Sequence, residues 1–332
     1  MEAVTSFQRG LPPDVHVFLA QSPPVLAVHV PAQQHSIFLV KMAFASLHAI
    51  VDPWYREYGT TRLSKMIACA PQLLEIFLAD AIYFGEVSVV TLLLRFAKTT
   101  PLPLDEVALT MAVTNGQVEM FQMLQQHGYT TCSHDAWTWA SHGGHLHMVQ
   151  YLHERCLERG SATAMDMAAR NGHLDVVQWL DAFRSEGASV RAMDLAAAQG
   201  QLHILEWLQH HRSEGCSKLA MDLAARNGHL DVLKWLHVHT DEGCSTGAMN
   251  GAAGFGRLAV LKWLRTNRDE GCTTKAIRAA AKYGHLKVVK WLHRVMGPKC
   301  TTKALALAKS GDHWDVAAYV QRNLYHNTAG RW

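Results

Sequence analysis

Over most of its length the chain alternates between two apolar patterns of helical period, and the pair recurs at a fixed interval. After Gly172, apolar residues stand two, four, five, seven and eight places on, at Leu174, Val176, Val177, Trp179 and Leu180. The same places after Gly200, Gly228, Gly256 and Gly284 carry Leu, Val or Ile, Val or Leu, Trp and Leu. Such a stripe predicts an amphipathic helix whose apolar face, tryptophan included, is buried. Ahead of each glycine lies a helix of smaller residues. It has an apolar residue seven places before the glycine (Met165, Met193, Met221, Met249, Ile277) and a paired alanine at 168/169, 196/197, 224/225, 252/253 and 280/281.

The boundaries are marked equally regularly. A hydroxyl residue stands eleven places before each glycine, at Ser133, Ser161, Ser189, Ser217, Ser245, Thr273 and Thr301, where a helix N-cap belongs. The glycines, Gly144 to Gly284 at a spacing of 28, suit the left-handed turn that ends the first helix. Glu-Gly pairs at 186/187, 214/215, 242/243 and 270/271 stop the second. Each unit is therefore a helix-turn-helix hairpin.

The pattern weakens toward both ends. Gly116 and Gly85 head looser units, and Asp312 holds the glycine place in the last one, a residue that tolerates the left-handed conformation. This gives about nine units over residues 76–320. Residues 1–75, with Pro12-Pro13, Pro23-Pro24 and helices predicted near Ser36 to Val51 and Thr61 to Phe77, are expected to cap the N-terminal end face. Residues 321–332 form a polar C-terminal tail.

The segment Thr163-Ala164-Met165-Asp166-Met167-Ala168-Ala169-Arg170-Asn171-Gly172-His173-Leu174 resembles the ankyrin repeat, a unit of about 33 residues. The resemblance implies an all-α solenoid of ankyrin-type helical hairpins. Two departures stand out. Ala164 and Asp166, Ala192 and Asp194, and Ala220 and Asp222 replace the Pro and His of the motif, which removes its threonine-to-histidine hydrogen bond and leaves an Asp to bond the turn. The units are also short, with a longer second helix and a joining segment too brief for a full β-hairpin finger.

Composition adds limits. The 332 residues are 49% hydrophobic, and 31 basic against 28 acidic side chains leave a formal charge of +3 with no block of five or six like charges. This balance lacks the basic stripe that phosphate neutralisation requires. Neither a signal peptide nor a membrane span is expected. Cys132, Cys216, Cys244, Cys272 and Cys300 are separated by multiples of 28, so these cysteines recur because the unit recurs. Free thiols and a cytoplasmic or nuclear setting follow.

Features that resemble chemistry read better as packing. Trp179, Trp207, Trp235, Trp263 and Trp291 form a ladder beside the buried stripe, at helix spacings of about 8 to 10 Å that are too wide for continuously stacked bases. Cys132, His134, His142, His145, His147, His153 and Cys156 offer zinc-ligand types, but no compact C-x-x-C pair accompanies them, and Cys132 and His145 are repeat-register residues. Asp166, Asp194 and Asp222 recur once per unit and are read as solvated or turn-bonding. No catalytic or phosphate-binding signature is present, so the reading assigns no enzymatic activity, cofactor or metal, and leaves open whether the cluster at 132–156 binds a metal.

What remains is binding. A solenoid presents a long concave surface built from equivalent positions, and specificity resides where the repeats differ. By analogy with ankyrin repeats, the two residues before each glycine face that surface, which nominates Arg170, Asn171, Gln199, Arg226, Asn227, Phe255, Lys282 and Tyr283. The sequence thus predicts a monomeric, non-enzymatic scaffold that binds another protein. The alternatives are a helical-repeat nucleic-acid binder, which the charge argues against, and the targeting subunit of an enzyme complex.

Overall fold

The computed structural model describes residues 37–69, 73–96, 105–130, 135–155, 161–296 and 302–329, and among them every regular element is a helix. They fall into two compact units divided at 158/159. Ser133, Thr301, Cys132, His134, Cys156, Cys300, the proline pairs and the rest of residues 1–36 lie outside the described residues. No described helix is long and apolar enough to cross a membrane.

The first unit opens with α1 (Ile37–Cys69), broken at Gly59, whose φ of 68° and ψ of −179° are not helical. Three hairpins follow: α2 (Leu74–Phe84) with α3 (Val87–Phe96), α4 (Asp105–Thr114) with α5 (Val118–Gln126), and α6 (Ala136–Gly143) with α7 (Leu146–Glu154). The helix expected over Thr61 to Phe77 is thus split, its first part ending α1 and its last part opening the first hairpin. Leu63, Met66, Phe77 and Phe121 are fully buried, and Trp54 packs edge-on against Phe77 at a centroid distance of 5.9 Å.

The second unit holds six hairpins. Their first helices are α8 (Ala162–Asn171), α10 (Val190–Gln199), α12 (Lys218–Asn227), α14 (Thr246–Gly254), α16 (Thr274–Lys282) and α18 (Thr302–Ser310). Their second helices are α9 (Leu174–Phe183), α11 (Leu202–His211), α13 (Leu230–His239), α15 (Leu258–Asn267), α17 (Leu286–Met296) and α19 (Trp314–Ala329). The last of these runs on through residues 321–329, past the array boundary at Val320.

First helices pack on the first helices of neighbouring hairpins more extensively than second helices pack on second helices. The alanine pairs explain this. All ten alanines from Ala168 to Ala281 in that register have no exposed surface, and methyl groups alone let the backbones approach. The hydroxyl caps form as expected at Ser189, Ser217, Ser245 and Thr273, whose side chains accept from the backbone N–H two residues on. Ser161 stands at the same place without that bond.

The buried stripe of the second helices is narrower than the pattern predicts. Val176, Val177 and Leu180 and their equivalents are at most 3% exposed, whereas Trp179, Trp207, Trp235, Trp263 and Trp291 are only half-buried. At 100° per residue, places two and seven after the glycine lie roughly 110° from the centre of the stripe formed by places four, five and eight. They sit on its shoulders. The tryptophans use their outer faces locally: Trp179 stacks on Phe183, Trp207 on His211 and Trp235 on His239, at centroid distances of 5.1, 4.4 and 4.6 Å.

The glycine turns of the second unit carry a second constraint beyond their positive φ. A Cβ on Gly200 would lie 2.6 Å from His229 Nδ1, and one on Gly284 2.5 Å from His313 Nδ1. At Gly172, Gly200, Gly228, Gly256 and Gly284 the residue after the next hairpin's glycine (Asp312 in the last) thus reaches back into the turn. There the His285 imidazole donates through Nε2 to the Gly254 carbonyl at 3.0 Å, one of the carbonyls a helix C-terminus leaves unpaired. In the last hairpin Asp312 takes the left-handed conformation at φ 58°.

Candidate functional site

The first helices of the second unit present one common face. On α14 it consists of Gly247, Asn250, Gly251, Gly254 and Phe255, which the helical period places in line. The equivalent residues are Leu219, Asp222, Leu223, Arg226 and Asn227 on α12, and Lys275, Arg278, Ala279, Lys282 and Tyr283 on α16. On α14 this face has almost no side chains, so a groove of about 370 Å³ opens between α12 and α16.

Its floor is Gly247, Gly251 and Gly254, with Leu223 and Ala279 on the walls. Glycine is needed here for close approach. A Cβ on Gly251 would stand 3.0 Å from Arg226 Cβ, and one on Gly254 3.2 Å from Ala279 Cβ. At the end of the groove formed by the helix C-termini stand Arg226, Phe255 and Tyr283. Phe255 is 45% exposed and Tyr283 53%, large values for aromatic side chains on a folded surface. Both rings are covered on one side, by the Arg226 guanidinium at 4.7 Å and by the Lys282 ammonium at 5.1 Å from the respective centroids.

Three of the residues expected to bind a partner, Arg226, Phe255 and Tyr283, therefore line one groove, with Lys282 beside them. Arg170 and Asn171 end α8 and Gln199 ends α10, all outside it. Asn227 is committed to structure: its Nδ2 donates to the Ala198 carbonyl of the preceding hairpin at 2.5 Å, as Asn115 donates to Tyr83 in the first unit at 2.9 Å.

The aspartates turn out to be ties between hairpins. Asp166 accepts from Ser189 N and Oγ at 2.9 and 2.6 Å, and Asp222 accepts from the same two groups of Ser245. Asp166 and Asp194 are buried, so the solvated reading of these positions does not hold for them. The bond does replace the lost motif contact, but it reaches the next unit's N-cap instead of its own turn. Of the His/Cys cluster, His145 donates to the Thr114 carbonyl at 3.0 Å, and no group of three candidate metal ligands occurs among the described residues.

Sequence reasoning missed two features of this face. Gly247 and Gly251 stand at registers where no residue type is held across the units, so the periodic pattern carries no signal for them; the signal lies in aligning α14 with its neighbours, where its outward side chains are missing. The whole-chain charge of +3 also hid an imbalance. From Gly271 to Gly311 there are nine basic residues and no acidic one, which leaves 22 basic against 28 acidic for the remainder. A charge count in a sliding window would have found it.

Residues 109–194 match the family model described as ankyrin repeats (3 copies), and residues 193–237 the one described as ankyrin repeats (many copies). No curated protein matches the chain.

Proposed function

We propose that this chain, whose residues 109–237 match models of the ankyrin repeat, a unit that generally serves protein-protein interaction, is a non-enzymatic scaffold whose partner protein docks on the first-helix face of the second unit. The observation that carries this reading is the groove over α14, where three glycines clear a floor and two half-exposed aromatic rings stand at its end. Buried aromatic and arginine anchors dominate interface energetics, and Phe255, Tyr283 and Arg226 supply those types around one cavity. The face is made of positions that differ between hairpins, while the residues that pack hairpin on hairpin stay constant.

The test replaces the three anchors together, Arg226→Ala, Phe255→Ser and Tyr283→Ala. All three are exposed, so the melting temperature should hardly move. Recovery of the partner captured from native extract should fall at least tenfold, equivalent to about 1.4 kcal/mol of binding free energy. A stable triple variant that captures the same partner at wild-type affinity would move the docking surface elsewhere on the chain.

A further inference from the structure

Resting on that reading, we infer that the groove over α14 is built for an acidic peptide segment of the partner, with an apolar side chain seated over Gly251 and carboxylates held by Lys275, which lines the groove, and by Lys282 beside it.

The charge of the face changes sign along the hairpins. In the register of Asp166, Asp194 and Asp222 the next two hairpins carry Asn250 and then Arg278. Each aspartate spends its oxygens on the N-cap of the following hairpin, and Asn250 still accepts from Thr273 N at 3.1 Å. Arg278 reverses the chemistry. It brings a cation to the register that faces the next N-cap, here Thr301, which lies outside the described residues. Lys275 and Lys282 stand exposed three places before Arg278 and four after it, on the same side of α16. No acidic residue follows on this face before Asp312.

The helix macrodipole explains Lys282 but not this cluster. A cation in the last turn faces the negative end of the dipole, whereas Lys275, in the first turn of α16, opposes its positive end and costs stability there. The arrangement makes sense when the compensating charge comes from outside the chain.

The aromatic rings select the class of polyanion. One face of Phe255 and one of Tyr283 are already occupied by Arg226 and Lys282, so the rings offer edges and single faces to an aliphatic side chain rather than an open platform for successive bases. A peptide that alternates carboxylates with an apolar residue matches both the cations and the side-chain-free floor.

A random linear peptide library displayed on phage, panned against the full chain, tests this directly. The enriched peptides should be net acidic and share an apolar residue. Their binding should weaken at least tenfold against Lys275→Glu with Lys282→Glu, both exposed positions, and against Gly251→Leu, which fills the floor without changing charge. Circular dichroism checks the fold of each variant, and the charge pair stands as the test should Gly251→Leu disturb the packing on Arg226. Neutral or basic enriched peptides, no enrichment, acidic peptides indifferent to the charge reversal, or displacement by a single-stranded oligonucleotide that binds the same face more tightly would each overturn the inference. Neutral peptides that are still lost on the Arg226, Phe255 and Tyr283 triple variant would leave the docking face standing and remove only its acidic partner. Peptides indifferent to both sets of substitutions would remove the face itself.

Discussion

Asp194 holds Ser217 of the next hairpin through both carboxylate oxygens, Oδ1 accepting from the backbone N–H at 2.8 Å and Oδ2 from the hydroxyl at 2.6 Å. The same hydroxyl accepts from Leu219 N at 3.1 Å and so caps α12. One side chain thereby fixes the start of a helix in the neighbouring repeat. Because such arrays are stabilised by nearest-neighbour interfaces, this is a coupling contact as well as a local one.

Asp194→Ala should therefore cost about 2 to 4 kcal/mol, since hydrogen bonds to charged groups contribute roughly 1.5 to 3 kcal/mol each and the Ser217 N–H would be left without its acceptor. Asp194→Asn should cost about 1 kcal/mol, because the chain itself uses Asn250 at this register to hold Thr273 N and Oγ1 at 3.1 and 3.3 Å. Urea denaturation of the two variants measures the difference. Equal losses would show that the charge, and not the acceptor geometry, makes the tie.

Gly200 carries two demands that one substitution can separate. Its φ of 77° strains any L-residue, and its Cβ would meet the His229 ring. Gly200→Ala should cost about 2 to 3 kcal/mol, of which about 1 to 2 is backbone strain. Adding His229→Ala should recover part of the remainder in a double-mutant cycle. Additive losses would mean that the ring swings aside and only the backbone matters.

These two residues also show what the sequence makes legible. The glycine was readable because its spacing never slips, and with it came the hairpins, the N-caps and the all-helical class. The aspartate's role was not readable, because its partner lies 23 residues on in another hairpin and no local periodicity points across that interval. The groove was half legible. Arg226, Phe255 and Tyr283 vary where their neighbours are constant, but the floor of Gly247 and Gly251 consists of missing side chains, and an absence leaves no apolar or charged signal. The tryptophans misled in a third way: a repeated large aromatic reads as core, yet the geometry of a ten-residue helix packed on one side leaves that place on a shoulder.

Trp235 should accordingly behave as a shoulder residue. Truncation of a fully buried aromatic costs about 3 to 5 kcal/mol, and Trp235→Ala, at a half-buried place, should cost about 1 to 3. Its emission, read in a variant with the other tryptophans replaced by Phe, should be quenched by iodide more than a core indole and less than a free one. His239→Ala should increase that quenching by removing the ring stacked on it at 4.6 Å. Complete protection from iodide would restore the tryptophan to the core.

The last prediction concerns Asp80 in the first unit, a carboxylate 3% exposed on α2. Its Oδ2 shares a hydrogen bond of 3.1 Å with His48 Nδ1 on α1, while Oδ1 has no hydrogen-bond partner among the described residues. Burial pushes its pKa up to about 6; the His48 bond pulls the other way, and the nearby Asp52 and Glu86 carboxylates push further upward. Because the folded value lies above the unfolded one, the folded chain holds a proton through the range from about 4 to 6 that the unfolded chain gives up. Stability from this group is thus fully present below that range and is lost as pH rises through it. A displacement of about two pKa units corresponds to about 3 kcal/mol. Asp80→Asn cannot ionise, and its carbonyl oxygen can still accept from His48, so it escapes the penalty. The difference in unfolding free energy between variant and wild type should therefore move by about 2 kcal/mol in favour of the variant between pH 4 and pH 7, whatever its value at pH 4. Chemical denaturation across that range gives the number, and common acid effects at other carboxylates cancel in the difference. A difference that stays constant with pH would mean that the carboxylate is solvated well enough to ionise freely where it stands.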